Sequence, residues 1–263
     1  MKVAPGARQI SVDGQILWSG VRRVLAFCDD PLLGIFQGRR LTLVVFRGRG
    51  LVVSWRFPLA GAVADSFVFG LPPVIASHLM SNPPPPSDTV RLALDGSEVS
   101  LMAQDAVGDY ELRWRFDLNQ FSAPAELGRL LALPPKTVMV DYVQIADAMH
   151  RAVASLADIE SRYQVHRTKL AIALGLTNGH LQADGREIDA ATDGFYYFDP
   201  RLIMRALEFV RGERVEIGLT DLGQQRAFFS IADRQPDHVT HCALLSIGPE
   251  MQRLVSNPPK LRP

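Results

Sequence analysis

Two hydrophobic periods alternate along the chain, and the points where one gives way to the other mark its elements. Period two runs through Val90, Leu92 and Leu94, and again through Val215, Ile217 and Leu219. One wet and one buried face is the signature of a half-buried strand. A period near 3.6 governs "ILWSGVRRVLAF" (16–27), "LPPVIASHLM" (71–80), "QIADAMHRAVAS" (144–155) and "DPRLIMRALEFV" (199–210), as in helices with one packed side. In the last of these, Leu202, Ile203, Ala206, Leu207 and Val210 form the apolar face. Asp199 is its expected N-cap, and Pro200 suits the first helical turn. On the helix near 144–155, Val143, Ala146, Met149 and Val153 are expected to face inward. The glycine turns in "FRGRGL" and "LTNGHL" predict tight hairpins, because glycine and Asn-Gly supply positive φ.

The elements repeat. At an offset of 128 residues Pro72 meets Pro200, Ile75 meets Ile203 and Leu79 meets Leu207. The same offset sets Leu17 on Ile145, Val21 on Met149, and Arg22–Arg23 on His150–Arg151. Each half then reads as strand, helix, strands split by tight turns, helix and a closing hairpin. The fold class this predicts is α+β, with two tandem domains of two helices packed on antiparallel β-sheet. The expected boundaries are 1–120 for the first domain, 121–135 for a linker rich in Pro, Ala and Leu, 136–250 for the second, and 251–263 for an extended tail. "SNPPPPSD" (81–88) reads as a stiff loop.

Composition narrows the functional classes. The 263 residues are 47% hydrophobic and 21% charged, with 28 basic and 28 acidic side chains and no net charge. Bulk charge therefore does not announce a nucleic-acid binder, and any such role must rest on the local charge of one face. Nearly all the cations are arginine, the side chain best suited to bidentate phosphate contact. Cys28 and Cys242 read as free core thiols in a reducing compartment, with a single disulfide as the alternative. No apolar run approaches a bilayer span and no signal-like segment stands out, so a cytoplasmic protein without membrane contact is expected.

Arg201 and Arg205 project from the non-packing side of the last helix, with Arg211 beyond its end. Arg22, Arg23, His150 and Arg151 occupy the matching side of the first helix of each half. Three of the four repeat-related helices thus carry cations where they do not pack, whereas the second helix offers only Ser77 and His78.

The order of elements, and above all "FDPRLIMRALEFVRGERVEIGLTD" followed by "THCALLSIG", resembles the DNA sliding clamps, the bacterial polymerase III beta subunit in particular. The two-domain length resembles proliferating-cell nuclear antigen. The resemblance implies a processivity factor that encircles double-stranded DNA without sequence specificity and tethers DNA polymerase or other clamp-binding peptides. Clamp rings hold six such domains, so a two-domain chain implies a homotrimer closed head to tail. It also implies that Arg22, Arg23, His150, Arg151, Arg201, Arg205 and Arg211 line the hole. The partner-peptide pocket would fall on Ala243, Leu244, Leu245 and Ile247, bordered by Leu130, Leu131, Leu133 and Pro134. A clamp-fold interaction module that does not encircle DNA is the alternative.

No nucleophile elbow, phosphate loop, zinc-protease helix or dinucleotide fingerprint is present, so no enzyme and no cofactor are expected. His238, His241 and Cys242 lack a second ligand pair for a metal, and Asp184, Asp189 and Asp193 lack the spacing of a calcium loop. His78 and His180 read as surface or core residues.

Overall fold

The computed structural model describes residues 8–27, 32–47, 50–59, 66–82, 89–104, 108–117, 131–132, 137–163, 170–177, 180–188, 195–223 and 226–247. The chain divides into two units, one made of residues 1–47, 53–125 and 235–240, the other of 48–52, 126–234 and 241–263. The tail from Gly248 and the "PPPPSD" run lie outside the described residues, as does the linker apart from Leu131 and Ala132.

In the first unit strand β1 (Arg8–Asp13) runs straight into helix α1 (Gly14–Phe27). The Asp13 carboxylate accepts from the Ile16 amide at 2.9 Å, which satisfies one of the donors a helix start leaves open. Strands β2 (Leu32–Gln37), β3 (Arg40–Arg47), β4 (Leu51–Pro58) and β5 (Phe67–Leu71) follow, then α2 (Pro73–Ser81). The half closes with β6 (Thr89–Asp95), β7 (Glu98–Gln104) and β8 (Asp109–Arg115). Its sheets are antiparallel, one ordered β1-β6-β7-β8 and the other running β5-β2-β3-β4. The β6–β7 hairpin turns at Gly96, whose φ of 60° lies where a Cβ is disfavoured.

The second unit opens with β9 (Val138–Asp141) and α3 (Tyr142–Tyr163). Next come β10 (Leu170–Thr177), β11 (His180–Glu187), β12 (Tyr196–Phe198) and α4 (Pro200–Phe209). Strands β13 (Arg214–Gly223), β14 (Arg226–Arg234) and β15 (Val239–Leu245) complete it. The strands run β15-β14-β13-β9 in one sheet, and β11-β10-β12 in the other. Thr177 pairs with His180, as the hairpin expected of "LTNGHL" requires, with Asn178 and Gly179 themselves outside the described residues. The Asp199 carboxylate accepts from the Arg201 amide at 2.8 Å, with Pro200 at the first helical position.

The 128-residue offset holds in three dimensions for nine of the ten elements of one half that can be laid on the other. Strands β1, β6, β7 and β8 fall on β9, β13, β14 and β15, and the sheet orders match. Strands β3, β4 and β5 fall on β10, β11 and β12. Among the described residues only β2 lacks a strand counterpart. Its image begins on the last turn of α3, which has 22 residues against 14 in α1. In the second unit β12 pairs directly with β10, whereas β5 reaches β3 through β2.

Core side chains follow the period of their element. Val90, Leu92, Val215 and Ile217 are buried on the inner face of their strands, and Ile203, Ala206, Leu207 and Val210 on the packed face of α4. Each of the valine, leucine and isoleucine side chains among them contributes about 1.5–3 kcal/mol. Helix α3 departs from the expected face. Its buried residues are Ile145, Met149, Ala152 and Leu156, while Val143 is 66% exposed and Ala146 and Val153 are half-buried. The cause is a close approach to β11, where a Cβ on Gly185 would overlap the Ala152 carbonyl oxygen and the Ser155 hydroxyl. That contact turns the Ala152 side of the helix to the sheet.

Gly185→Ala should therefore cost about 1–3 kcal/mol through forced helix displacement, read as a lower urea midpoint. Gly108→Ala, where an added Cβ meets nothing within 4 Å, should stay within about 0.5 kcal/mol of the parent.

Candidate nucleic-acid interface

The expected cations are exposed except Arg23, and helix rotation decides how each is presented. On α1 the exposed positions are Gln15, Ser19, Arg22 and Ala26, the side opposite the buried Leu17, Val21 and Val24. Arg22 thus projects with neutral neighbours. Arg23, one residue on, is half-buried, and its guanidinium lies 5.5 Å from the centre of the Trp55 ring. That indole presses against α1, since a Cβ on Gly20 would come 2.7 Å from its Cδ1. On Trp55 the His238 imidazole also stacks, with centroids 4.0 Å apart and planes at 7°. Arg23 is therefore partly spent on packing within its own unit.

On α3 both His150 and Arg151 are exposed. The Nδ1 of His150 lies 2.7 Å from the Ala146 carbonyl oxygen, a geometry in which Nδ1–H donates and Nε2 faces outward. The repeat sets Arg22 against His150 and Arg23 against Arg151. The exposed side of α3 also carries Asp147 and Asp158, and Arg162 is paired with Asp158 at 2.7 Å. Its local charge is consequently close to balanced. On α4 Arg201 and Arg205 stand one turn apart on the exposed side, with Glu208 a further turn on; Arg211 is exposed beyond the helix. The exposed positions of α2 are Pro73, Val74, Ser77, His78, Met80 and Ser81, none a fixed charge.

The expected peptide pocket separates into core and surface. Ala243 and Leu244 are fully buried in the second unit, while Leu245 and Ile247 are half-buried. The Leu245 amide donates to the Gly50 carbonyl at 2.8 Å, and that of Ile247 to the Tyr197 carbonyl at 2.7 Å. Between them Ser246 closes a buried pair with Ala227, its hydroxyl accepting from the Ala227 amide at 2.9 Å. Ile247 and Phe195 pack on a small cluster of Ala171, Ala173, Ile188 and Tyr197. The Arg186 guanidinium covers Phe195 at 4.7 Å. Sequence reasoning missed this cluster, whose members come from three separate stretches of chain. Beside it, burial and then the hydrogen bond and charge of Asp221 push the Tyr196 hydroxyl pKa up, which keeps Tyr196 a donor. Leu131 is half-buried; Leu130, Leu133 and Pro134 lie outside the described residues.

Among the described residues no group of three or more His, Cys, Asp and Glu side chains is placed to hold a metal ion. His241 and Cys242 are buried, and His238 is taken up by Trp55 and by Asp237, 2.8 Å from its Nδ1. No described helix is long and apolar enough to cross a membrane.

The contrast between Arg22 and Arg23 is measurable. Arg23→Ala should lower stability by about 0.5–1 kcal/mol through the lost Trp55 contact, whereas Arg22→Ala should leave the urea midpoint within about 0.5 kcal/mol of the parent.

No protein-family model matches the chain, and no curated protein matches it in sequence. Solved structures do. The DNA polymerase III beta subunit of Thermotoga maritima superposes with a TM-score of 0.60 at 15% identity, over 94% of this chain and 67% of that one. The beta subunit from the DNA polymerase of Streptococcus pyogenes gives 0.61 at 13%, over 94% and 68%. The Helicobacter pylori beta clamp, solved with 5-chloroisatin, gives 0.59 at 10%, over 94% and 67%. The chain thus spans about two thirds of the length of these structures, and over that length it has the fold of the bacterial beta clamp.

Proposed function

We propose that the chain is a clamp-like DNA tether: three copies close a ring of six domains around duplex DNA and hold polymerase or other partner proteins there, in the cytoplasm and without catalysis. Fold alone does not carry function. The observation that carries the reading is the exposure of cations at repeat-related positions on the non-packing sides of three helices. Arg22 and His150 are one such pair, Arg151 stands beside the second, and Arg201 and Arg205 crown α4. Arginines that meet phosphates without reaching base edges give affinity that is indifferent to sequence and sensitive to salt. On a chain of zero net charge, attraction must come from such a local face. Leu245 and Ile247, beside the small Phe195–Tyr197 cluster, form the surface on which an apolar partner motif would dock.

A second reading, an interaction module that does not encircle DNA, draws on α2, whose exposed side carries Val74 at 72% and Met80 at 42% exposure in place of arginine. The two separate by mass and topology. A ring elutes near three times 29.0 kDa, stays on nicked circular duplex and slides off linear duplex with free ends. Stable monomers, or equal loss from both DNAs, would sink the ring. Charge reversal at Arg201 and Arg205 together should weaken binding equally across DNA sequences and lower the slope of log K against log salt by about two. An unchanged slope would remove both residues from the interface.

A further inference from the structure

The repeat sets an imidazole where the first half has a guanidinium. Arg22 on α1 and His150 on α3 share the 128-residue offset, and both are exposed. A guanidinium stays charged, whereas an imidazole changes its charge between about pH 5 and 8. The seat of the ring decides what that change does. Nδ1 of His150 lies 2.7 Å from the Ala146 carbonyl oxygen one turn back, an acceptor that only an N–H can meet. Nδ1 therefore keeps its proton in both states, and Nε2 alone gains or loses one. In the neutral ring Nε2 presents a lone pair to the surface. In the imidazolium it presents a donor and a positive charge.

The charges around the ring enlarge the difference. On α3 the exposed charged residues besides His150 are Asp147, Arg151, Asp158 and Arg162, two of each sign, with Glu160 half-buried in the last turn. The exposed side of the helix is therefore net positive only when His150 is protonated. Asp147 stands one turn before the ring and Arg151 beside it. Packed against α3 are β9, β10, β11 and α4. β9 brings Asp141, held by Arg214 at 3.7 Å, and β10 has no charged residue. β11 brings His180 and the Asp184–Arg186 pair, and it meets the other side of the helix, at Ala152. α4, tied to α3 where the Tyr142 hydroxyl donates to the Leu207 carbonyl at 2.8 Å, brings Arg201, Arg205 and Glu208. We propose that His150 is a proton-controlled phosphate contact. The protonated ring donates from Nε2 to the duplex backbone, and the neutral ring turns a lone pair toward it, so the hold on DNA tightens as pH falls. This rests on the tether reading and adds its regulation. Phosphate oxygens accept and do not donate, so a lone pair aimed at them makes no favourable contact, while the imidazolium adds a charge-assisted one. At Arg22 the matching contact is indifferent to pH.

Binding of a short fluorescein-labelled duplex of mixed sequence, followed by anisotropy, tests this. At about 0.1 M salt the parent should bind at least about threefold more tightly at about pH 6 than at about pH 8, since one phosphate neutralised at that salt is worth up to about eightfold. Ordinary carboxylates and guanidinium groups keep their charge across that range. The slope of log K against log salt should steepen by about 0.9 for each His150 that meets a phosphate. His150→Gln should abolish the rise, and His150→Arg should hold the tighter strength at both pH values. His78→Gln, on the exposed side of α2, should keep the parental response. Circular dichroism of all three variants should match the parent. A rise that survives in His150→Gln or disappears in His78→Gln overturns the proposal and leaves the tether reading in place, as does a parent whose affinity is the same at both pH values. A parent that binds no duplex at either pH removes the tether reading and this contact together.

Discussion

Two helices of this protein lie so close to their sheets that at one point of each contact only a hydrogen atom fits. In the first unit the point is Gly20 of α1 against the Trp55 indole; in the second it is Gly185 of β11 against the backbone of α3 at Ala152. Close-packed interiors tolerate almost no adjustment at such points. Each contact therefore fixes the rotation of its helix about its own axis. Rotation settles the rest: which aliphatics enter the core, which cations reach the surface, and how far each is diverted into packing.

Arg22 and Arg23 illustrate this. They are neighbours of the same type, yet the seat of Gly20 on Trp55 sends one outward and brings the other within 5.5 Å of the indole. Their counterparts His150 and Arg151 are both exposed, because α3 is seated by a different residue at a different height. The repeat thus preserves the path of the chain more faithfully than the presentation of individual side chains. Electrostatics then grades the faces. α1 shows an arginine among neutral residues, α3 balances its cations with carboxylates, and α2 carries no fixed charge on its exposed side.

The elements and their order were legible in the sequence because they rest on local signals. The Asp199 cap, the Asn-Gly turn and the alternation through Val90–Leu94 each have their cause within a few residues of themselves, and the 128-residue echo repeats such local patterns. The inward face of α3 was not legible. Val143, Ala146, Met149 and Val153 form a good stripe, but nothing near them in the chain records that Gly185 will admit Ala152. The run of α3 on to Tyr163, over the start of the image of β2, was hidden for a similar reason, since helical periodicity simply continues there. On the site side, outward cations could be read from period alone. The diversion of Arg23 and the Phe195–Ile247 cluster could not, because each joins residues distant in sequence. Ala243 and Leu244 entered the expected pocket through the family resemblance alone, and both side chains are buried.

The eight-residue excess of α3 over α1 carries a kinetic consequence. Leu156 is the last buried residue of α3, and from Ala157 to Tyr163 only Ile159 and Glu160 are even half-buried. Those final turns have little tertiary burial to hold them, and short helical segments are marginal by themselves. One continuous helix therefore contains two opening regimes. Amides up to Leu156 are released only when the unit opens around them, and those beyond it exchange through local fraying many times before that.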